Sequence, residues 1–410
     1  MLKEVNKMKI TNLRLRELEG TIHYPGTFWE ERLRMPTDIY PEFKARTGKD
    51  LYTHWGFIHV GKDQHKIRRI FLEIDTDESV SGISGPINWL APAFYIDTQL
   101  KPLLIGQDPL ATERLWDIMY RNAIHGRKGD NMHAISYVDV ALWDIKGKAL
   151  GQPVYRLLGG PVQEKIPAYA SALGFSIEPE RAKERVKEFL KQGYTATKWF
   201  VREGPTDGPE GVRKNVELMK ALREAAGPDM EIMIDCWSSW DVPYTLKMAE
   251  LLAEYRPYWF EEPVLADRPE SYAQLRAQCP VKIAGGEHEY TRWGAKMLMD
   301  LGACDIYQMD PVWAGGISEV NKICTLASVY DVQVIPHGCM PQVNAQVSFA
   351  QNVTVVPMME YLVVLNEMWQ HFLKTPLKPI NGFFYPPEAP GVGIELDESK
   401  IEAERELSWR

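Results

Sequence analysis

The sequence predicts an α/β fold, a (β/α)8-type barrel with a mixed α+β region ahead of it. From Ile166 onward, short β-like runs alternate with amphipathic helical runs. That alternation implies a parallel sheet, and eight such runs imply a closed barrel. Before that point the periodicities are mixed, with strand-like and helix-like stretches in no repeating order. A doubly wound open sheet is the alternative, but no GxGxxG follows the first strand to support it.

Taken in order, Lys9–Leu18 and Ile67–Asp75 alternate polar and apolar residues as half-buried strands do. Pro109–Tyr120 and Ile135–Leu150 carry apolar residues at helical spacing. Between them, Ile22–Lys66 is rich in aromatic and charged residues without clean periodicity, which reads as a functional loop or lid. The barrel runs are Ile166–Ser171, Ala196–Phe200, Glu231–Asp235, Tyr258–Glu261, Val281–Glu287, Ile306–Asp310, Val332–His337 and Val355–Glu360. Helical runs separate them. Pro179–Gln192 places Ala182, Val186 and Phe189 on one face, and Gly316–Asp331 does the same with Ile317, Val320, Ile323 and Ala327. After Gly382 the chain is Pro-rich and then charged, as a segment running back over the surface would be.

The 410 residues are 45% hydrophobic and 25% charged, enough apolar material for a large core. A net charge of −9 argues against a nucleic-acid surface, which needs a clustered basic face. The N-terminal MLKEVNKMKITNLRLREL has no continuous apolar stretch, so it reads as neither a signal peptide nor a membrane span. Five scattered cysteines without CxxC spacing fit reduced thiols rather than a disulfide scaffold or a zinc site. The expectation is a soluble cytoplasmic protein with no nucleic-acid or membrane partner.

Barrel active sites sit at the C-terminal ends of the strands. The β-like runs carry at that end Lys198, Asp235, Glu261, Glu287, Asp310, His337 and Glu360. One acidic strand end reads as a helix cap, but capping does not require three successive apolar strands to end in carboxylates. Asp235, Glu261 and Glu287 follow at one strand–helix period each. Converging carboxylates raise each other's pKa unless a cation neutralises them, and an oxygen-only set suits Mg²⁺. Asp310 and His337 end neighbouring strands, so Asp310 can fix one imidazole nitrogen and leave the other to act as a base. Cys236 and Cys339 lie just past strand ends and read as buried, unreactive thiols.

In this arrangement the chain resembles the enolase superfamily, specifically its mandelate racemase subgroup. ALWDIKGKALGQPVYRLLGG at 141–160 resembles the segment leading that family's capping domain into its barrel. IDCW at 234–237, WFEEP at 259–263 and GGEH at 285–288 resemble its metal-ligand strands, while Asp310, His337 and Glu360 match its Asp–His dyad and last-strand acid. The resemblance implies the modified (β/α)7β barrel, with residues 1–150 as the capping domain, 151–382 as the barrel and 383–410 returning to the cap. It also implies a homo-oligomer acting on a small-molecule sugar acid. A substrate carboxylate would chelate Mg²⁺ held by Asp235, Glu261 and Glu287, stabilising an enediolate; His337 would take the α-proton, and a protonated Glu360 would hydrogen-bond the developing oxyanion.

Relatives that racemise carry K-x-K on the second strand; here the motif is Lys198-Trp199-Phe200, with no second lysine. One base favours elimination of water, as in the subgroup's acid-sugar dehydratases. Epimerisation or cycloisomerisation, with Lys198 as second base, and a non-catalytic sugar-acid-binding homologue are the alternatives. Candidate substrate contacts are Arg32, Arg34, Arg46 and His54 in the N-terminal region and His288 beside the third ligand.

Overall fold

The computed structural model describes residues 8–45 and 57–409. Two sheets organise it. The first is antiparallel: β1 (Ile10–His23), β2 (Phe57–Gly61), β3 (Gln64–Thr76) and β4 (Ser81–Ile87), with β3 pairing all three others. The second holds the parallel strands β5 (Ile166–Ser171), β6 (Ala196–Phe200), β7 (Glu231–Asp235), β8 (Trp259–Glu261), β9 (Lys282–Gly285), β10 (Ile306–Tyr307), β11 (Gln333–Val334) and β12 (Met359–Leu362). They run in the order β11-β10-β9-β8-β7-β6-β5-β12, with helices between, as a barrel requires.

The period-2 rule of strands places the site. Ala196, Met233 and Trp259 point into the barrel and pack with Tyr169, Ala284, Ile306 and Ile335. Two residues further on, the same inward face carries Lys198, Asp235 and Glu261. The intervening Trp199, Ile232, Ile234 and Phe260 face outward and join the core under the helices. Each strand thus floors the barrel with an apolar layer and offers charge at its rim.

Several strands stop earlier than the sequence predicts. β9 ends at Gly285, β10 at Tyr307 and β11 at Val334, so Glu287, Asp310 and His337 project from the loops just beyond. Gly286, at φ +104°, turns the chain out of the sheet in a conformation open to glycine. Val355 and Val356 lie before the last strand, which begins only at Met359. Within 22–66, β1 continues to His23, and residues 57–61 and 64–66 belong to β2 and β3.

Beyond the barrel, β13 (Phe383–Phe384) pairs β5, and β14 (Ala403–Leu407) adds to the first sheet beside β1, Leu407 facing Leu15. The helix Asp130–Ala149 links the two sheets' layers. It is apolar nearly all round and buried accordingly, packed on β4 and on the helix Gly316–Val329. The joint is polar: Ser318 donates to Asp139 from its backbone (3.0 Å) and its hydroxyl (2.6 Å), and Trp143 donates to Ser318 Oγ (2.8 Å). Asp139 therefore caps from outside the first turn of the Gly316–Val329 helix, where orphan N–H groups favour a carboxylate.

Gly316 has φ +89°, and a Cβ there would lie 2.2 Å from Asp139 Oδ2. Gly316→Ala is therefore expected to destabilise the fold by at least about 2 kcal/mol, read as a lower chemical-denaturation midpoint. An unchanged midpoint would mean that Asp139 can move aside. Burial pushes the Asp139 carboxyl up to about 7, the two bonds from Ser318 offsetting only part of the penalty. A folded pKa above the unfolded value of 3.8 gives stability that is complete below about pH 4 and lost as pH rises through about 7. Asp139→Asn is expected to flatten that part of the pH–stability profile, measured by urea unfolding from pH 4 to 8.

Candidate active site

The strand register brings the rim residues together. Asp235 faces Phe200 on one side and Glu261 on the other, and Glu360 faces Tyr169 across β12 and β5. Backbone bonds from Cys236 N to Glu261 O (2.9 Å) and Ser238 N to Glu262 O (2.6 Å) carry the pairing past the strand ends. Trp237 (φ 39°), Ser238 (φ 59°) and Glu262 (φ 40°) adopt left-handed backbone there, strain of the kind that persists where a site is over-determined by its surroundings.

A cavity of about 360 Å³ opens at this rim, lined on one side by Lys198, Asp235, Glu287, His288 and His337. His337 Nδ1 lies 2.9 Å from Asp310 Oδ2, and Asp310 is itself held by Val312 N (2.8 Å) and Cys339 N (3.3 Å). Nδ1 is thereby engaged, and Nε2 is the nitrogen left to act in the cavity. The Trp313 ring packs 4.6 Å from the imidazole. Lys198 is buried and ion-paired with Glu261, with Glu360 (2.8 Å) and more distantly with Asp235 (3.6 Å). Glu261 also accepts from Trp259 Nε1 (3.1 Å). Glu262, which the sequence reading passed over, lies 2.8 Å from His288 Nδ1.

Residues 181–400 match the family described as enolase C-terminal domain-like, and residues 58–159 match the mandelate racemase / muconate lactonizing enzyme N-terminal domain. The chain belongs to the enolase superfamily. Among its relatives is an L-rhamnonate dehydratase of Saccharopolyspora erythraea, 33% identical over 377 residues, covering 90% of each chain. A D-galactarolactone cycloisomerase of Agrobacterium fabrum is 33% identical over 347 residues, covering 81% of this chain and 90% of the other. The crystal structure of a rhamnonate dehydratase from Gibberella zeae complexed with Mg superposes with a TM-score of 0.83 at 28% identity, covering 98% of both chains.

The donors at this enolase-superfamily rim suit a hard divalent ion. Burial, and then Glu261, push Asp235 well above the usual carboxylate range, and burial takes Glu287 up to about 7. Buried oxygens that resist ionisation together are relieved by a cation. Among the described residues, the groups of three ligand atoms within 4.8 Å of one another are Glu262–Glu287–His288 and Asp310–His337–Cys339 rather than the three strand-end carboxylates; Lys198 is paired with Glu261. Burial opposes charge on His337, but Glu287 and Asp310 outweigh it and push the imidazole up to about 10. Glu287 is the largest upward influence, so a cation held by Glu287 would lower it. His288 behaves alike, held up to about 9 against its burial by Glu262.

At Glu360, expected as a protonated donor, burial raises the pKa, but Lys198 and then His337 overcome it and hold the carboxyl below the usual value. Its Oε2 accepts from Gly338 N (2.8 Å). Glu261 and Glu360 outweigh the burial of Lys198 and hold its ammonium well above the usual range. Arg32 and Arg34 do not line the cavity; they are buried, paired with Asp38 (2.7 Å) and with Asp207. Their neighbours Leu33 and Met35 face the cavity instead, as alternation along an extended segment demands. Arg46 and His54 lie outside the described residues. His288 does line the cavity, and Cys236 and Cys339 are buried with thiols pushed well up, largely by that burial.

Lys198→Met is expected to strand Glu261 and Glu360 as buried charges without their cation. Turnover is expected to fall about 100-fold or more, with a lower melting temperature. Steady-state rates and calorimetry on Mg²⁺-loaded protein measure both, and near-native turnover would make the lysine dispensable.

Proposed function

We propose that this hydro-lyase converts a 2,3-dihydroxy sugar acid, L-rhamnonate or a close relative, to the 2-keto-3-deoxy acid with loss of water. The carrying observation is the Asp310–His337 pair, whose free nitrogen opens on the same cavity as Asp235 and Glu287, with Phe200 where a second base would stand. In this reading Asp235, Glu261 and Glu287 hold Mg²⁺, residues 1–150 form the cap, 151–382 the barrel, and 383–410 return to the cap. The ion would supply charge stabilisation at the substrate carboxylate.

His337 Nε2 takes the proton from C2, and Asp310 supports the imidazolium that forms. The C2 bonding pair becomes the C2–C3 double bond as the C3–O bond breaks. The leaving hydroxide takes the proton back from His337 and departs as water, and the resulting enol ketonises. One residue thus serves as base and then acid. Lys198, locked among Glu261, Glu360 and Asp235, keeps its proton and holds the local charge in balance. Phe200 is buried against Leu33, so the side chain at that strand position carries no proton to deliver. The relative named as a cycloisomerase does not shift this reading, because cycloisomerisation by Lys198 needs a lysine that can give up its proton.

A semicarbazide assay across an acid-sugar library is expected to detect a 2-keto acid with Mg²⁺ and none after chelation. No product with any sugar acid would overturn the assignment. His337→Asn is expected to lower turnover by about 1,000-fold or more while retaining Mg²⁺ and substrate binding by calorimetry. Surviving activity would move the base elsewhere.

A further inference from the structure

Resting on the reading of this chain as a dehydratase, we propose that His133 is a positioning residue for the proton transfer, holding the Trp313 ring in the plane that fixes the tilt of the His337 imidazole. The bond to Asp310 fixes His337 at one point. A ring pinned at Nδ1 can still rock about its last torsion, which is broad for an imidazole, and each tilt aims Nε2 differently. A second restraint, on the ring face, comes from Trp313, 4.6 Å away at an interplanar angle of 32°. Trp313 N also donates to Asp310 O (3.0 Å), so both restraints on the base rise from one loop.

What orients Trp313 lies further from the chemistry. Its Nε1 is buried with no hydrogen-bond partner among the described residues, so packing sets the indole plane. The imidazole of His133, on the helix Asp130–Ala149, lies nearly parallel to it at 12°, with ring centroids 5.4 Å apart. Trp89 closes on both rings, 5.0 Å from His133 and 6.4 Å from Trp313. Trp89 is fixed in turn, its Nε1 donating to Asp130 at the start of the same helix, and Tyr290 packs 5.7 Å from His133. His133 is buried, and neither ring nitrogen has a hydrogen-bond partner among the described residues. Burial pushes its pKa down to about 3, so the ring is uncharged at neutral pH. An imidazole whose nitrogens bond nothing and carry no charge contributes its flat face. Trp89 and Trp313 line the cavity and His133 does not, so its effect on the reaction passes through them.

The kinetic test uses Mg²⁺-loaded enzyme and L-rhamnonate. His133→Leu keeps the bulk but loses the flat ring, and is expected to lower kcat about tenfold with KM little changed. His133→Met serves as the second variant should the leucine form not fold. His133→Phe keeps a flat face without the unpaired nitrogens and is expected to restore kcat. A native kcat in the leucine and methionine forms would overturn the proposal. An equal loss in His133→Phe would overturn it too, because the nitrogens rather than the ring face would then matter. A readout without turnover separates this from the dehydratase reading. With ¹³C-labelled histidine, the Trp313 ring current displaces the His337 Cε1–H resonance, assigned by its loss in His337→Asn. That resonance is expected to move in His133→Leu and to stay in place in His133→Phe, whether or not any acid is dehydrated. An unmoved resonance in His133→Leu would overturn the stack.

Discussion

The rim of this barrel depends on one ammonium group. Lys198 is surrounded by Glu261, Glu360 and Asp235, all withdrawn from water. Each charge alone would be expelled or neutralised on burial. Together they persist because the lysine satisfies two carboxylates directly and a third through its field. The same geometry fixes the rest of the site. Gly338 N ties Glu360 to the loop that carries His337, so the charge cluster and the proton carrier are joined through one backbone bond. A disturbance at Lys198 is thus transmitted to the base without any contact between the two side chains.

The division of labour follows from period-2 strands in a closed sheet. On β6, β7 and β8 the inward positions read apolar and then charged, floor and then rim. The floor supplies the packing that makes the rim rigid, and the rim uses that rigidity to hold like charges near one another. Substituting a polar residue into the floor would therefore loosen the site before it weakened any single ion pair. The left-handed residues just past β7 and β8 mark where this rigidity is used, since backbone at Trp237, Ser238 and Glu262 is held in a conformation that a looser frame would relax.

Much of this was legible in the sequence because strand and helix periods are local signals. The runs ending at Phe200, Asp235 and Glu261 match observed strands, and the Asp310–His337 hydrogen bond joins the pair that neighbouring strand ends suggested. What was hidden depends on tertiary charge. The downward pull on the Glu360 carboxyl cannot be read from its own position; it comes first from Lys198, more than 150 residues away in the chain. Glu262 was visible in the EEP motif, but its pairing with His288 requires two loops to meet. The outer ends of β10 and β11 were placed too far along because apolar residues, Met309 and Ile335, follow where the strands stop.

The arginines show why residue type misleads where period does not. In Arg32-Leu33-Arg34-Met35 the charged residues look like substrate ligands, and the leucine and methionine look like filler. The segment runs extended beside the end of β6, with Arg34 N bonded to Val201 O (2.8 Å). An extended chain sends alternate side chains to opposite sides, so one pair must face the cavity and the other must face away. Asp38 and Asp207 decide the matter by offering buried carboxylates on the far side. Once both guanidinium groups are anchored there, Leu33 and Met35 have no other place to go. The apolar character of the cavity wall is thus fixed from behind, by ion pairs that never touch the substrate.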